Sequence, residues 1–356
     1  MRVVVVGATG NVGTSLVPKL LMDAAVSEVV GVARRRPSLE LSRLTWRTAD
    51  IATDDLASIF RGADVVVHLA WAIQPSHDEP TMARTNVHGS WRLFEAVARA
   101  GVPALVYASS IGAYTDGPKD RHVDESWPVG GIETSFYSRH KATVERMLDR
   151  FETQHPDIRV VRLRPALIFK EGQASEARRF FLGPFVPGVV FRPDVLPVLP
   201  DVPGLRFQAV HTDDVADAYR RAIVGDARGA FNVAAPPDLD LRRIAGEIGA
   251  RTVRVPASVI RAVMKLSWRS HLQPTPVGWL EMGLRLPQMS AARAEQELGW
   301  TPMCSALDAV CDLLTGIGNG KGERTPPLEP SAGGPLRVEE FASGVGARDP
   351  AARKRP

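Results

Sequence analysis

Short runs of apolar, largely β-branched residues recur along the first two thirds of the chain, over 3–6, 29–33, 65–70, 104–109 and 160–163, and again over 230–234. Each run is continuous rather than alternating, as expected of strands covered on both faces. Between them, residues 12–22, 54–61, 87–100 and 136–151 carry apolar side chains at helical spacing. Strand and helix in turn predict an α/β fold built on a doubly wound parallel sheet. Over 172–205 the pattern changes, and FFLGPFVPGVVFRPDVLPVLP is too proline-rich for one helix. Loops and short elements forming an apolar wall are expected there. Regular structure resumes with a helix running to Val224 and capped by Asp213 or Asp214, then helical stretches over 239–248 and 258–266. The expected organisation is a core over 1–170 with returning segments at about 206–235, and a small lobe from 171–205 and 236–315. Residues 316–356 lack apolar periodicity and are expected to form a disordered tail.

Composition narrows the class. Of 356 residues, 44% are hydrophobic and 24% charged, which suffices for a sizeable core and excludes collagen-like or wholly disordered chains. Basic residues number 44 against 40 acidic, a net charge of +4. The basic clusters are Arg34 to Arg36 and the run at 353–355, so no nucleic-acid partner is expected. Two cysteines, Cys304 and Cys311, exclude a disulfide framework and a cysteine-based zinc site, and are expected to be buried thiols in a reducing compartment. No apolar run approaches a membrane span, and the first strand gives way to glycines too early for a signal peptide. A cytoplasmic protein without a membrane partner is expected.

The first strand runs into GATGNVG, with Gly7, Gly10 and Gly13 bracketing Thr9, Asn11 and Val12 at the start of a helix. Glycines suit a tight strand-to-helix turn whose backbone approaches a pyrophosphate, with the anion at the positive helix end. In this position they point to a dinucleotide and a Rossmann sheet. The second strand ends in Ala33 followed by Arg34 and Arg35, where an NAD site generally carries a carboxylate for the ribose 2′-hydroxyl. Guanidinium groups favour a 2′-phosphate, and so NADP(H) over NAD(H), although a solvated basic turn would read the same way. Tyr137 and Lys141 lie at i and i+4 on one helix face, where an ammonium can lower the phenol's pKa and ready it for proton transfer between an alcohol and a carbonyl. Ser109 and Ser110 end a central strand, where a hydroxyl can polarise a substrate oxygen or simply satisfy backbone groups.

These motifs occur in order with Asp50-Ile51, HLA at 68–70, NVHGS at 86–90, SSIGAY at 109–114, RLRPALIF at 162–169, HTDDVADA at 211–218 and ELGWTP at 297–302. Over about residues 1–310 the chain resembles an extended short-chain dehydrogenase/reductase of the NAD-dependent epimerase/dehydratase type. The resemblance implies that Tyr137 is the acid/base, that Lys141 lowers its pKa and contacts the nicotinamide ribose, and that Ser110 is the catalytic serine. It places Asp50 and Ile51 by the adenine, Leu69 and Ala70 along the cofactor, and Pro165 and Ala166 near the nicotinamide. Ser109 joins the expected cofactor set.

Two departures bear on the substrate. Dehydratases of this family carry an Asp-Glu pair where this chain has Ile111 and Gly112, and nucleotide-sugar epimerases an asparagine that RLRPALIFKEG lacks. Phe180, Phe181, Leu182, Phe185, Val186 and Phe191 offer an apolar wall, unless they only pack the smaller lobe; Arg178, Arg179 and Arg192 keep an anionic group open. His68 reads as a core histidine, His77 to Glu79 as a loop over the cofactor rather than a metal site, and Asn86 as a candidate for a proton relay. The leading expectation is an NADP(H)-dependent oxidoreductase acting on a small, rather apolar carbonyl or alcohol. An epimerase of a sugar or nucleotide-sugar and an NADP-sensing regulator are the alternatives. The expected partner is a small-molecule substrate, with a homodimer left open.

Overall fold

Seven strands form one parallel sheet: β1 (Arg2–Val6), β2 (Glu28–Ala33), β3 (Leu44–Thr48), β4 (Val65–His68), β5 (Ala104–Ala108), β6 (Arg159–Pro165) and β7 (Gly229–Val233). Their order is β7-β6-β5-β4-β1-β2-β3, reversing direction between β1 and β4. This is the doubly wound Rossmann arrangement, which opens its ligand crevice at the carboxyl ends of those two strands. The computed structural model describes residues 1–192, 195 and 197–333.

The continuous apolar runs become buried strands because each face of the sheet has its own helical cover. On one face, Val3 and Val5 pack with Leu16, Leu20 and Tyr219 of α1 (Asn11–Met22) and α4 (Thr212–Val224). On the other, Val4 and Val6 share a core with Leu93, Phe94, Leu148 and Phe151 of α2 (Gly89–Arg99) and α3 (Phe136–Gln154). A second, three-stranded sheet is formed by Leu167–Phe169, Phe207–His211 and Ala235–Leu239, and the later part of the chain contributes α5 (Gly278–Arg285) and α6 (Ala306–Asn319). Among the described residues, no helix is long and apolar enough to cross a membrane.

Several local expectations change. The edge strand β3 is half polar and partly exposed, so hydrophobicity did not mark it; its Trp46 ring covers Gly31, where a Cβ would lie 2.5 Å from the indole. The helix expected over 54–61 is only Ala57–Phe60. α4 is capped by His211, whose Nδ1 accepts from the Asp213 amide, not by Asp213 or Asp214. Asp214 is instead buried and accepts from the Met303 and Cys304 amides, both at 3.0 Å. Cys304 and Cys311 are half-buried, not buried.

The tail is the largest correction. Ser305 and Asp308 form a capping box that starts α6, which runs through Asn319 and stops at Gly320 in the left-handed region. Residues 321–332 then fold back onto the core, leaving Thr325, Leu328 and Ala332 buried. Residues 316–333 are therefore ordered structure, because Leu328 and Thr325 find partners distant in sequence; residues 334–356 lie outside the described residues.

Candidate active site

The sheet crevice begins at the turn after β1. Gly7 has φ +91°, and a Cβ there would sit 2.6 Å from the Ala70 amide nitrogen. A Cβ on Gly13 would lie 2.6 Å from the Ala8 carbonyl. Both glycines are thus required for close packing of turn, strand and helix. Gly10 differs: its Cβ would meet nothing nearer than the Gly7 oxygen at 3.5 Å, so the space beside it is open. Among the described residues, no side chain caps the α1 amino terminus at Gly10. Open space against uncapped amides suits a phosphate, so the turn fits the expected dinucleotide.

The cleft continues past Thr9, Arg34, Arg35, Asp50, Ile51, Leu69 and Ala70 to Trp71, Ile73 and Gln74, with Phe180, Pro326 and Pro327 opposite. Asn11 and Val12 open α1; Pro165 and Ala166, at the end of β6, line neither this cleft nor the apolar cavity described below. Asn86 uses its amide to hold both the nitrogen and the oxygen of Ala72, at 2.7 and 2.9 Å. It positions the 71–74 loop through these two backbone bonds. His68 is a core residue: its Nε2 pairs with Ser90 Oγ at 2.9 Å, and burial, assisted by Lys141, pushes its pKa down to about 3. His77 stacks on Trp268 with ring centres 3.6 Å apart.

Beyond β5, one turn separates the two serines into different roles. Ser110 caps the short turn Ile111–Ala113, accepting from the Gly112 amide at 3.0 Å, and the Tyr137 ring packs against Gly112 of the same turn. Ser109 points inward and donates to Glu145. Tyr137 and Lys141 are both buried on the first turns of α3. Lys141 Nζ donates to the Ala108 carbonyl at 2.6 Å and lies 3.6 Å from the centre of the Trp71 ring. Burial holds this amine well below the usual lysine range, against the pull of Glu145. Burial raises the Tyr137 phenol to about 12, with the nearby Ser110 hydroxyl acting in the opposite direction. In this structure the Lys141 amine is engaged with Ala108 and Trp71.

Beneath these residues lies a buried ion network. Glu145 accepts from Arg162 at 2.9 Å and from Arg164 Nε at 2.8 Å; Arg164 also reaches the Tyr114 hydroxyl at 3.0 Å. Burial raises the Glu145 carboxyl, but the two guanidiniums and Ser109 overcome it and hold the group at about 2.

Next to the Ser110–Tyr137 pair, an apolar cavity of about 420 Å³ is lined by Ile111, Phe169, Phe181, Leu182, Trp279, Met282 and residues of α6, with Lys119, Arg206 and Gln208 among its polar groups. Trp279 approaches the Tyr137 ring to 5.1 Å between centroids. The wall thus divides: Phe181 and Leu182 line the cavity, Phe180 faces the dinucleotide cleft and Phe185 is exposed. The Phe191 side chain is outside the described set. Arg179 is buried and donates to the Pro327 and Glu329 carbonyls, while Arg192 reaches Asn319 at 3.3 Å. Trp71 and Trp279 are site residues that sequence reasoning missed. The first follows HLA directly, but nothing near the second signals that α5 returns to Tyr137.

The chain spans 31% of the length of the first curated relatives it matches, uncharacterized proteins of Mycobacterium tuberculosis and Mycobacterium bovis, at 28% identity over 331 residues and 91% of this chain. It is 28% identical to a UDP-glucose 4-epimerase of Mycolicibacterium smegmatis over 333 residues, covering 88% of this chain and 97% of that one. In fold it is similar to a dTDP-glucose 4,6-dehydratase of Streptomyces venezuelae solved with NAD, with a TM-score of 0.68, 21% identity, and coverage of 90% of this chain and 97% of that one. Residues 3–234, which hold the glycine turn, the Ser110–Tyr137 pair and all seven sheet strands from Val3 onward, match the NAD dependent epimerase/dehydratase family, and the chain belongs to that family.

Proposed function

We propose that this protein is an NADP(H)-dependent oxidoreductase that interconverts a carbonyl and an alcohol on a small, largely apolar substrate. The observation that carries the reading is the Ser110 hydroxyl close to the Tyr137 phenol, beside a cavity of about 420 Å³ walled mainly by apolar side chains. Ser110 orients the substrate oxygen, and Tyr137 exchanges a proton with it. A buried phenol at about 12 is proton-loaded at neutral pH, which suits donation to a developing alkoxide during reduction. Lys141 sits one turn along α3, within reach of a ribose entering the cleft past Trp71. The nicotinamide, when bound, supplies or accepts the hydride. Gly7, Thr9, Gly10, Asn11, Val12 and Gly13 would hold the diphosphate, Asp50 and Ile51 the adenine, and Leu69 and Ala70 the middle of the cofactor. Preference for NADP(H) rests on Arg34 and Arg35 lining the cleft just after Ala33, the carboxyl end of β2 itself having no acidic residue.

Turnover of a panel of apolar ketones and alcohols, followed by NADPH absorbance, tests the proposal. Tyr137→Phe should lower kcat by about 10²–10⁴-fold with NADPH affinity retained. A variant as active as the parent would sink the acid/base assignment. A second reading, an epimerase of a sugar or nucleotide-sugar, is favoured by the near full-length match to a UDP-glucose 4-epimerase. Conversion of such a substrate with no net change in NADPH would establish it.

A further inference from the structure

The dinucleotide cleft has a wall that its sheet does not supply. Residues 321–329 leave α6 at Gly320, run along the mouth of the cleft and place Pro326 and Pro327 in its lining, opposite the glycine turn. Thr325, 5% exposed, donates its hydroxyl to the Thr9 carbonyl at 2.8 Å, a bond inside the turn that would hold the diphosphate. The segment is fastened at both ends. Glu323 pairs with Lys170, which also donates to Thr14 and Ser15 of α1 at 2.7 and 3.2 Å. Arg179 and Ser175 hold the Pro327 and Glu329 carbonyls from below. Glu323 and Leu328 close the loop on itself through the Glu323 amide, and Leu328 is fully buried beneath it.

We propose that residues 321–329 are a fixed strap completing the cofactor site, with Thr325 as the positioning residue and Pro326-Pro327 as a packing surface, so that release of the dinucleotide requires the strap to detach. The inference rests on the dinucleotide reading above. A rigid di-proline costs little ordering entropy when a ligand packs on it, and the Arg179 clasp joins it to Phe180, the other residue on that wall. Because the clasp originates in the lobe that also carries Phe181 and Leu182 of the substrate cavity, strap and substrate wall share one support.

The test uses the full chain and NADPH fluorescence, without turnover. Stopped-flow displacement of bound NADPH by excess NADP⁺ gives the dissociation rate for the parent, Thr325→Val and Pro326→Gly/Pro327→Gly. Thr325→Val should release NADPH at least five-fold faster, the worth of about one hydrogen bond, and the di-glycine variant faster still. Trypsin supplies a readout independent of any substitution: saturating NADPH should slow cleavage after Lys321 and Arg324 in the parent. Unchanged dissociation in both variants, or cleavage indifferent to NADPH, overturns the strap. Tighter binding and faster association in the variants would also overturn it, by making the segment an occluding plug. Failure of the parent to bind either NADPH or NADH is a distinct result, and it would remove the dinucleotide reading itself.

Discussion

Replacing Glu145 by glutamine removes, among the described residues, the one carboxylate that Arg164 hydrogen-bonds and one of three acidic partners of Arg162, which keeps Asp149 and Glu152. Glu145 is 1% exposed, so water screens the network little. A carboxyl held at about 2 against an ordinary 4.5 contributes about 3 kcal/mol of folding stability. Because its folded pKa is depressed, that contribution is complete above pH 4.5 and disappears as pH falls towards 2. The variant keeps one amide oxygen that can accept from Arg164 but removes the negative charge facing it, and breaking a buried ion pair costs about 3–5 kcal/mol. Against a typical total of about 5–15 kcal/mol, this is a large fraction. Urea unfolding of parent and Glu145→Gln, followed by circular dichroism from pH 7 to pH 3, measures both quantities. The variant should be less stable by about 3 kcal/mol or more at pH 7 and should lose less on acidification than the parent. A variant within 1 kcal/mol of the parent at pH 7, with the same acid slope, would refute the claim that the network beneath Ser109 is a coupled charge cluster.

Arg34→Ala with Arg35→Ala should weaken NADPH binding by at least ten-fold more than NADH binding, as two charge-assisted contacts to a 2′-phosphate are lost; equal loss in fluorescence titrations of both would end the NADP assignment. In Gly112→Ala, the new methyl would lie 2.9 Å from Tyr137 Cε1 and 3.1 Å from Met282 Cε, so the phenol must move. Its kcat should fall by about 10²-fold while NADPH affinity stays within two-fold, and a variant with parental kcat would show that the ring tolerates displacement.

The chain's local pattern determined most of the core. Four of the seven sheet strands, β1, β2, β4 and β5, are largely apolar runs, because a parallel strand buried on both faces has little polar side to show, while β6 and β7 also bury Arg162, Arg164 and Asn232. The glycine turn was equally legible as a motif, although only Gly13 answers to packing within a few residues of itself; Gly7 answers to Ala70 on the neighbouring strand's end. So was the Tyr137–Lys141 face, which is fixed by helical period alone. What the period could not decide is where a side chain's partners come from. Ser109 and Ser110 are neighbours in sequence, yet the first joins Glu145 in the core and the second meets Tyr137, because successive residues leaving a strand face opposite ways. Lys141 turned to Ala108 and Trp71, and Asp214 left the expected cap position for amides 89 and 90 residues away. The edge strand β3 escaped notice because one side of it is in water. The segment from 321 to 332 carries too few apolar residues to register as structure, and it is ordered by Leu328, Thr325 and the buried Arg179 clasp. Such long-range contacts offset the chain entropy that local composition alone would leave unopposed, and only the tertiary structure brings them together.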